Sequence, residues 1–447
     1  MLCIDRIPCK VMKTIHHPFK GLHTFVLLWA TQAFSALGSS MTSYALVIWA
    51  YQQTGSALST SLLTICSYAP YVLLSIFAGA LSDRWNKKFT MLVCDSFAAV
   101  STAAVLLLLS SGRLMIWHLY LLNGLNGIMN TLQQPASDVA VSLLTPKEQV
   151  QRVSGMQSFS NSLVTILTPV IASAVFSFFG MSAVIAFDLI TFAAAFLSLA
   201  FFIKIPEAAL LASKKKESVW RLAKEGLHYL KKNRGILDLM LFLAAINLTA
   251  SMYNAALPAM LLSRSGAGQL SLGMVNTCTG LANLTGSILV SLAAQPKSRV
   301  RVICNALLFS MSTENFLLAF GRSNAVWCLG AVSGWIFIPF MNANMNALFR
   351  SRIPIEIQGR VFSVRNTLQF FTIPVGYLLG GVLVDKVTEP FMAGQAKGSL
   401  PALLFGTGKG SGAALLFFLL GFIGIFTCLF FRRDRHIWEL ESLKSST

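Results

Sequence analysis

Four ionisable side chains stand inside long apolar runs of this chain: Asp95, Asp188, Glu314 and Arg365. Charge in such surroundings is expensive and is kept where it moves protons or ions, pairs with another group or meets a substrate. By residue count Asp188 and Glu314 lie roughly 10 Å inside the ends of their runs, at 1.5 Å of helix rise per residue. A carboxyl so placed can be protonated in one state of a protein and charged in another, so these two are the candidates for proton coupling. Arg365 is only one turn into its run and can snorkel to an interface. A second group is neutral. Asn123, Asn126, Asn130, Gln133 and Gln134 recur at steps of three and four, which gathers them on one helix face. Amides in hydrocarbon must find partners, so that face should look into a helix bundle, as a cavity wall or as interhelical hydrogen bonding.

Composition says what holds these residues. Of 447 residues 55% are hydrophobic and only 12% charged. That is about half the charge of a soluble protein, and the mean hydropathy is +0.66. The 35 Lys and Arg outnumber the 17 Asp and Glu, for a formal net charge of +18. Nucleic-acid binding is not indicated, because the basic residues sit between apolar runs rather than across a polar face. The eight cysteines are scattered without C-x-x-C or zinc spacing, so no metal or cofactor is expected. The stretch Gly406 to Ser411 (GTGKGS) lacks the first glycine of a phosphate loop and the Ser or Thr after its lysine. No hydrolase signature appears, and an enzyme is not expected. The first residues, broken by Asp5, Arg6, Pro8 and Lys10, do not read as a secretory leader.

Runs long enough to cross a bilayer begin near Thr24, Ala57, Phe89, Ile116, Val153 and Met181. After a polar interval they resume near Ile236, Ser271, Val302, Ala325, Val361 and Ala413. The expectation is an all-α polytopic membrane protein of twelve helices in two six-helix bundles, with very short connections at Tyr51 to Ser56 and Gly321 to Asn324. Its segments are 1–23, a bundle 24–203, a basic linker 204–235, a bundle 236–431 and a tail 432–447. With both termini cytoplasmic, only Arg113, Arg264, Arg322, Lys386, Lys397 and Lys409 of the 35 basic residues fall in outer segments, as the positive-inside rule requires. Ser218 to Lys232 in the linker has an amphipathic basic pattern suited to a membrane surface or a solvated linker helix.

The halves repeat. Pro146-Lys147-Glu148-Gln149-Val150-Gln151-Arg152-Val153 aligns with Pro354-Ile355-Glu356-Ile357-Gln358-Gly359-Arg360-Val361, with Pro, Glu, Arg and Val in common. Between the second and third spans the chain reads Gly79-Ala80-Leu81-Ser82-Asp83-Arg84-Trp85-Asn86-Lys87-Lys88. Gly79 permits close helix packing. Asp83 can face the positive N-terminus of another helix.

This segment resembles motif A of the major facilitator superfamily, with Asn86 at a usual glycine; Asn tolerates a left-handed backbone, so the turn is expected to survive. Gln134-Pro135-Ala136, Phe187-Asp188, Gly359-Arg360-Val361-Phe362 and the segment Asp385 to Gly412, taken as the last outer loop, resemble the bacterial drug-exporter branch of macrolide-efflux proteins and the enterobactin exporter. The branch's motif B arginine is missing from the fourth span, and motif C is reduced to Thr168-Pro169. The resemblance implies a gating charge cluster of Gly79, Asp83, Arg84, Lys87, Lys88 and Asp138. It also implies a cavity lined by spans 1, 4, 7 and 10, which nominates Gln32, Tyr44, Asn123, Asn126, Asn130, Asn247, Tyr253, Asn254, Trp335, Asn342 and Asn346.

The function so implied is export of an amphipathic small molecule by proton antiport, from a monomer in a bacterial cytoplasmic membrane. Its partners would be that molecule, protons and the lipid bilayer. Import of a metabolite, lipid flipping, and a non-transporting scaffold or sensor are the alternatives.

Overall fold

The computed structural model describes residues 22–82, 85–146, 149–205 and 227–442. Every element among them is helical. The first half holds α1 (His23–Thr54), α2 (Ala57–Ser82), α3 (Lys87–Ser110), α4 (Ile116–Leu144) and α5 (Val150–Leu197), the last continued by a π-helical turn at Ser198–Phe202. The second half holds α6 (Arg234–Ser263), α7 (Gln269–Leu292), α8 (Arg299–Phe320), α9 (Asn324–Trp335), α10 (Ile338–Arg352) and α11 (Ile355–Val382). A π-helical segment, Leu383–Thr388, prolongs α11 into α12 (Glu389–Ala393); α13 (Leu400–Phe405), α14 (Ser411–Arg432) and α15 (Arg435–Ser442) follow.

Nine helices among the described residues are both long and apolar enough to cross a membrane. Helices α4 and α7 have 29 and 24 residues, but their amides and hydroxyls hold down their hydropathy. At 48 residues α5 is too long for one crossing of about 30 Å, and Gly180 (φ 78°, ψ −179°) breaks it into arms 150–179 and 181–197. The outer surface is studded with exposed side chains such as Phe178, Phe179, Ile190, Phe201, Phe202, Leu292 and Phe426. So much exposed apolar surface is stable only against lipid, and the chain is a multi-pass membrane protein.

Local chemistry corrects two expectations. Asn86 is not left-handed: it is extended (φ −62°, ψ 120°) and its side chain accepts from Phe89 N at 3.1 Å, so it caps α3. An N-cap side chain satisfies an otherwise orphaned amide, which a glycine could not do. Asp385 does not begin a loop either, because the helix runs on through it to Ala393. The two copies of the repeat lead into equivalent helices, α5 and α11, with Pro354 at the N-cap of the latter. Of the linker, residues 206–226 lie outside the described residues. Beyond them Leu230 is buried with Ile236, Val300 and Phe349 rather than spread on a surface.

Among the described residues the halves meet chiefly along two helix pairs, α2 with α11 and α5 with α7. A Cβ on Gly381 of α11 would come within 2.8 Å of Leu58 Cα, and one on Gly273 of α7 within 2.4 Å of Ser173 Oγ. Only glycine allows backbones this close. At the bundle end opposite His23 and Arg432 the seam is pinned by Asp385. Its carboxylate accepts from Ser56 Oγ at 2.5 Å, Ala57 N at 3.0 Å and Leu58 N at 2.9 Å. It therefore caps the N-terminus of α2 from the other half.

At the opposite end α15 acts as a brace. Ile437 and Leu440 are buried among Leu230, Ile236, Val300 and Ile303. Glu441 accepts from Ser298 Oγ at 2.8 Å and Val300 N at 2.7 Å, capping α8. His436 Nδ1 lies 3.3 Å from Asp238 and 3.4 Å from Asp434. Truncating a fully buried Ile side chain removes about 2–5 kcal/mol. Ile437→Ala is expected to lower the Tm of the purified protein by roughly 5 °C; an unchanged Tm would show that α15 braces nothing.

Candidate functional site

The glycine-rich stretch before α14 is already filled from within. Gly406, Gly408 and Gly410 take positive φ, and Glu389 Oε1 accepts from Gly410 N at 2.8 Å and Ala413 N at 3.4 Å. A carboxylate holds the place a phosphate would need. Of the motif A residues, Asp83 and Arg84 lie outside the described residues. Gly79 is in α2 and Lys87 opens α3. Lys88 Nζ donates to Ala200 O at 2.9 Å and Ile203 O at 2.8 Å, so it caps the end of the sixth predicted span. Asp138 is on α4 and accepts from Gln134 Nε2 at 3.2 Å.

Three cavities hold most of the other nominated residues. The largest of them, about 400 Å³, lies between the halves. There Tyr44, Thr64, Thr168 and Pro169 from the first half meet Asn254, Asn276 and Tyr377 from the second. Tyr44 Oη accepts from Ser173 Oγ at 3.4 Å and from Asn276 Nδ2 at 3.3 Å, joining the two halves through one hydroxyl. Among the described residues no Lys, Arg, Asp or Glu lines this space. Its volume is within the range of drug-sized pockets, about 300–1,000 Å³.

The second cavity, about 310 Å³, sits inside the second half on the other side of α6. It gathers Asn247, Tyr253, Trp335 and Asn342 around Glu314. Glu314 is 4% exposed and accepts from Trp335 Nε1 at 3.0 Å. Gly334 makes room for it, since a Cβ there would lie 2.1 Å from Glu314 Oε2. The Tyr253 hydroxyl faces the same carboxylate, and Ser310 Oγ and Asn315 Oδ1 are buried without a hydrogen bond. Among the described residues no Lys or Arg lines the cavity. Loading or unloading a proton on Glu314 therefore changes its charge by one unit with no counter-ion in the wall to absorb it. The break between α9 and α10 falls beside Trp335, and interrupted helices of this kind frame ion and substrate sites in transporters.

The third cavity, about 110 Å³, lies wholly in the first half. It brings Asn123, Asn126 and Asn130 of α4 to Asp188 of α5. Asp188 is 4% exposed, and Ser39 Oγ donates to its Oδ1 at 3.0 Å. Gln32 is elsewhere: its Nε2 reaches Asp95 Oδ2 at 3.4 Å, while Gln133 Nε2 reaches Oδ1 at 2.5 Å. Asn346 accepts from Arg365 Nη1 at 3.3 Å. A wider groove of about 540 Å³, lined by Lys297, Arg301 and the exposed Phe309 and Phe337, contains neither buried acid.

The hydroxyls of Thr60, Ser61 and Thr64, together with Asn276 and Tyr377, join the first of these cavities although they lie outside spans 1, 4, 7 and 10. The recurrence of small hydroxyls at three- and four-residue steps in α2 was the signal available in the sequence.

Known proteins share this build. Over 366 residues, 81% of this chain and 90% of the relative, the sequence is 24% identical to macrolide efflux protein A of Streptococcus pyogenes. The fold superposes on a bacterial homologue of the iron transporter ferroportin in an inward-facing state, with a TM-score of 0.68 at 13% identity over 94% of this chain and 99% of that one. It superposes on the nucleoside transporter NupG with a TM-score of 0.65 at 13% identity over 92% and 100%. Residues 28–377 match the Major Facilitator Superfamily, and with two pinned halves around an uncharged cavity the chain belongs to that family of transporters.

Proposed function

We propose that the chain exports an amphipathic small molecule, of macrolide or siderophore type, in exchange for protons. The observation that carries this reading is the pairing of two cavities back to back across α6: an uncharged one between the halves and one holding Glu314. Neutral hydroxyls, amides and two tyrosines suit a compound with dispersed polarity, whereas a charged metabolite would call for an opposite charge in the wall. The likeness to macrolide efflux protein A supports the same substrate class.

In this reading an even number of crossings, twelve, leaves both termini on one side of a bacterial membrane, and the excess of Lys and Arg in the segments on that side makes it the cytoplasmic one; a monomer suffices for the cycle. Asp385 then closes the outer side. For the inner side we take the opposing latch to be the motif A group that the resemblance implies, Gly79, Asp83, Arg84, Lys87 and Asp138, while Lys88 anchors α3 to the sixth crossing. Rocking of the halves exchanges one closure for the other. The test is accumulation of a compound panel (macrolides, lipophilic cations, siderophores, fluorescent phospholipids) in everted vesicles with an imposed proton gradient. Uptake of a macrolide or siderophore is expected. If no compound accumulates and none dissipates the gradient, the reading fails.

A further inference from the structure

The two buried acids have different surroundings, and the difference is chemical. Glu314 takes a Trp N–H and faces a Tyr hydroxyl, in a cavity of about 310 Å³ that also holds Ser310 and Asn315. Around Asp188 the wall is oxygen-rich: Ser39, Thr42, Thr102 and the amides of Asn123 and Asn126 share its small cavity. Thr42, only 6% exposed, turns its hydroxyl to the Asp188 carboxylate. Asn126 Oδ1 in the same cavity is buried and unpartnered. Asn123 commits its Nδ2 to Leu119 O at 2.9 Å, which leaves its carbonyl oxygen as the available group. Buried oxygens without partners are uncommon and ask for a ligand.

We infer that the Asp188 cavity is a binding site for an alkali cation, with sodium as the ion to test. Oxygen donors without sulfur or imidazole suit hard cations rather than transition metals. One carboxylate, with no Lys or Arg among the described lining residues, balances one positive charge. The volume of about 110 Å³ equals about three to four water volumes of 30 Å³ each. It is too small for a drug-sized molecule and sufficient for an ion that keeps a water. The cation would tie α1, α3, α4 and the second arm of α5 together, so it would act on the first half while Glu314 carries the proton in the second.

Binding needs no transported compound, so this inference and the export reading fail separately. The purified full-length chain is assayed for thermal stability and for ²²Na⁺ binding in Na⁺, K⁺, Li⁺ and choline chlorides at constant ionic strength. At least one alkali ion is expected to raise the Tm over choline, and ²²Na⁺ is expected to bind. Thr42→Val and Asn126→Leu are each expected to weaken the ion effect about tenfold, the size of one lost contact to a charge. Glu314→Gln should leave it unchanged. Asp188→Asn should abolish it, and if that variant does not fold, Thr42→Val and Asn126→Leu carry the test. Equal stability in all four salts with no ²²Na⁺ binding would overturn the inference, as would full binding in folded Asp188→Asn or in both Thr42→Val and Asn126→Leu.

Discussion

Glu314→Gln is expected to abolish gradient-driven accumulation while leaving the protein folded and able to equilibrate its substrate. Glutamine keeps the shape of the side chain and an oxygen for Trp335 Nε1, which donates to Glu314 at 3.0 Å. It also fits beneath Gly334, where any Cβ would collide with it. What it cannot do is gain and lose a proton. For one-to-one exchange each unit of pH gradient is worth about 1.4 kcal/mol, or tenfold accumulation. Across a gradient of about two units the wild type should concentrate substrate about a hundredfold and the variant should reach only equality. Vesicle uptake at imposed gradients measures this directly. A variant that still concentrates substrate with the wild-type dependence would reduce Glu314 to a structural residue of the α8–α9 contact.

The second large effect concerns the seam. Asp385 collects three donors from the start of α2, and hydrogen bonds to a charged group contribute about 1.5–3 kcal/mol each, less where water competes. If Asp385→Ala removes about 2 kcal/mol in total, the ratio of open to closed seam rises about thirtyfold. Spin labels on the exposed Ser111 and Ala396, in a background without native cysteines, should report a longer distance in Asp385→Ala than in the parent. An unchanged distance distribution would mean that the seam is held by the α2–α11 and α5–α7 packing alone. Asp385→Asn separates charge from shape: it keeps an acceptor for one amide and should fall between the two.

The sequence carried the helices further than their partnerships. Ala57 and Ile116 are expected starts that coincide with observed ones, and Gly180 divides α5 one residue before the expected start at Met181. The eleventh helix begins at Ile355 rather than near Val361, because hydropathy marks where apolar residues begin and its first turns carry Glu356, Gln358 and Arg360. Asp385 was hidden for the opposite reason. A charged, polar stretch after an apolar run looks like a loop, and its partner Ser56 is 329 residues away. The acids themselves were legible as charges in the wrong solvent. Their roles were not, since the distinction between Glu314 and Asp188 rests on which groups the fold brings to each: Trp335 and Tyr253 to one, Ser39, Thr42 and Asn126 to the other. The amide stripe likewise announced a wall without saying that Asn123, Asn126 and Asn130 would face a space of ion size while Asn254 faced the larger one.

The central claim is that outward movement of the compound and inward movement of protons are one process. Proteoliposomes of the purified chain, carrying an acid interior reported by a pH-sensitive acridine dye, test it most directly. Adding an accepted compound is predicted to restore the dye's fluorescence as protons leave in exchange, in the wild type and not in Glu314→Gln. Accumulation of the compound with no change in fluorescence would contradict the account.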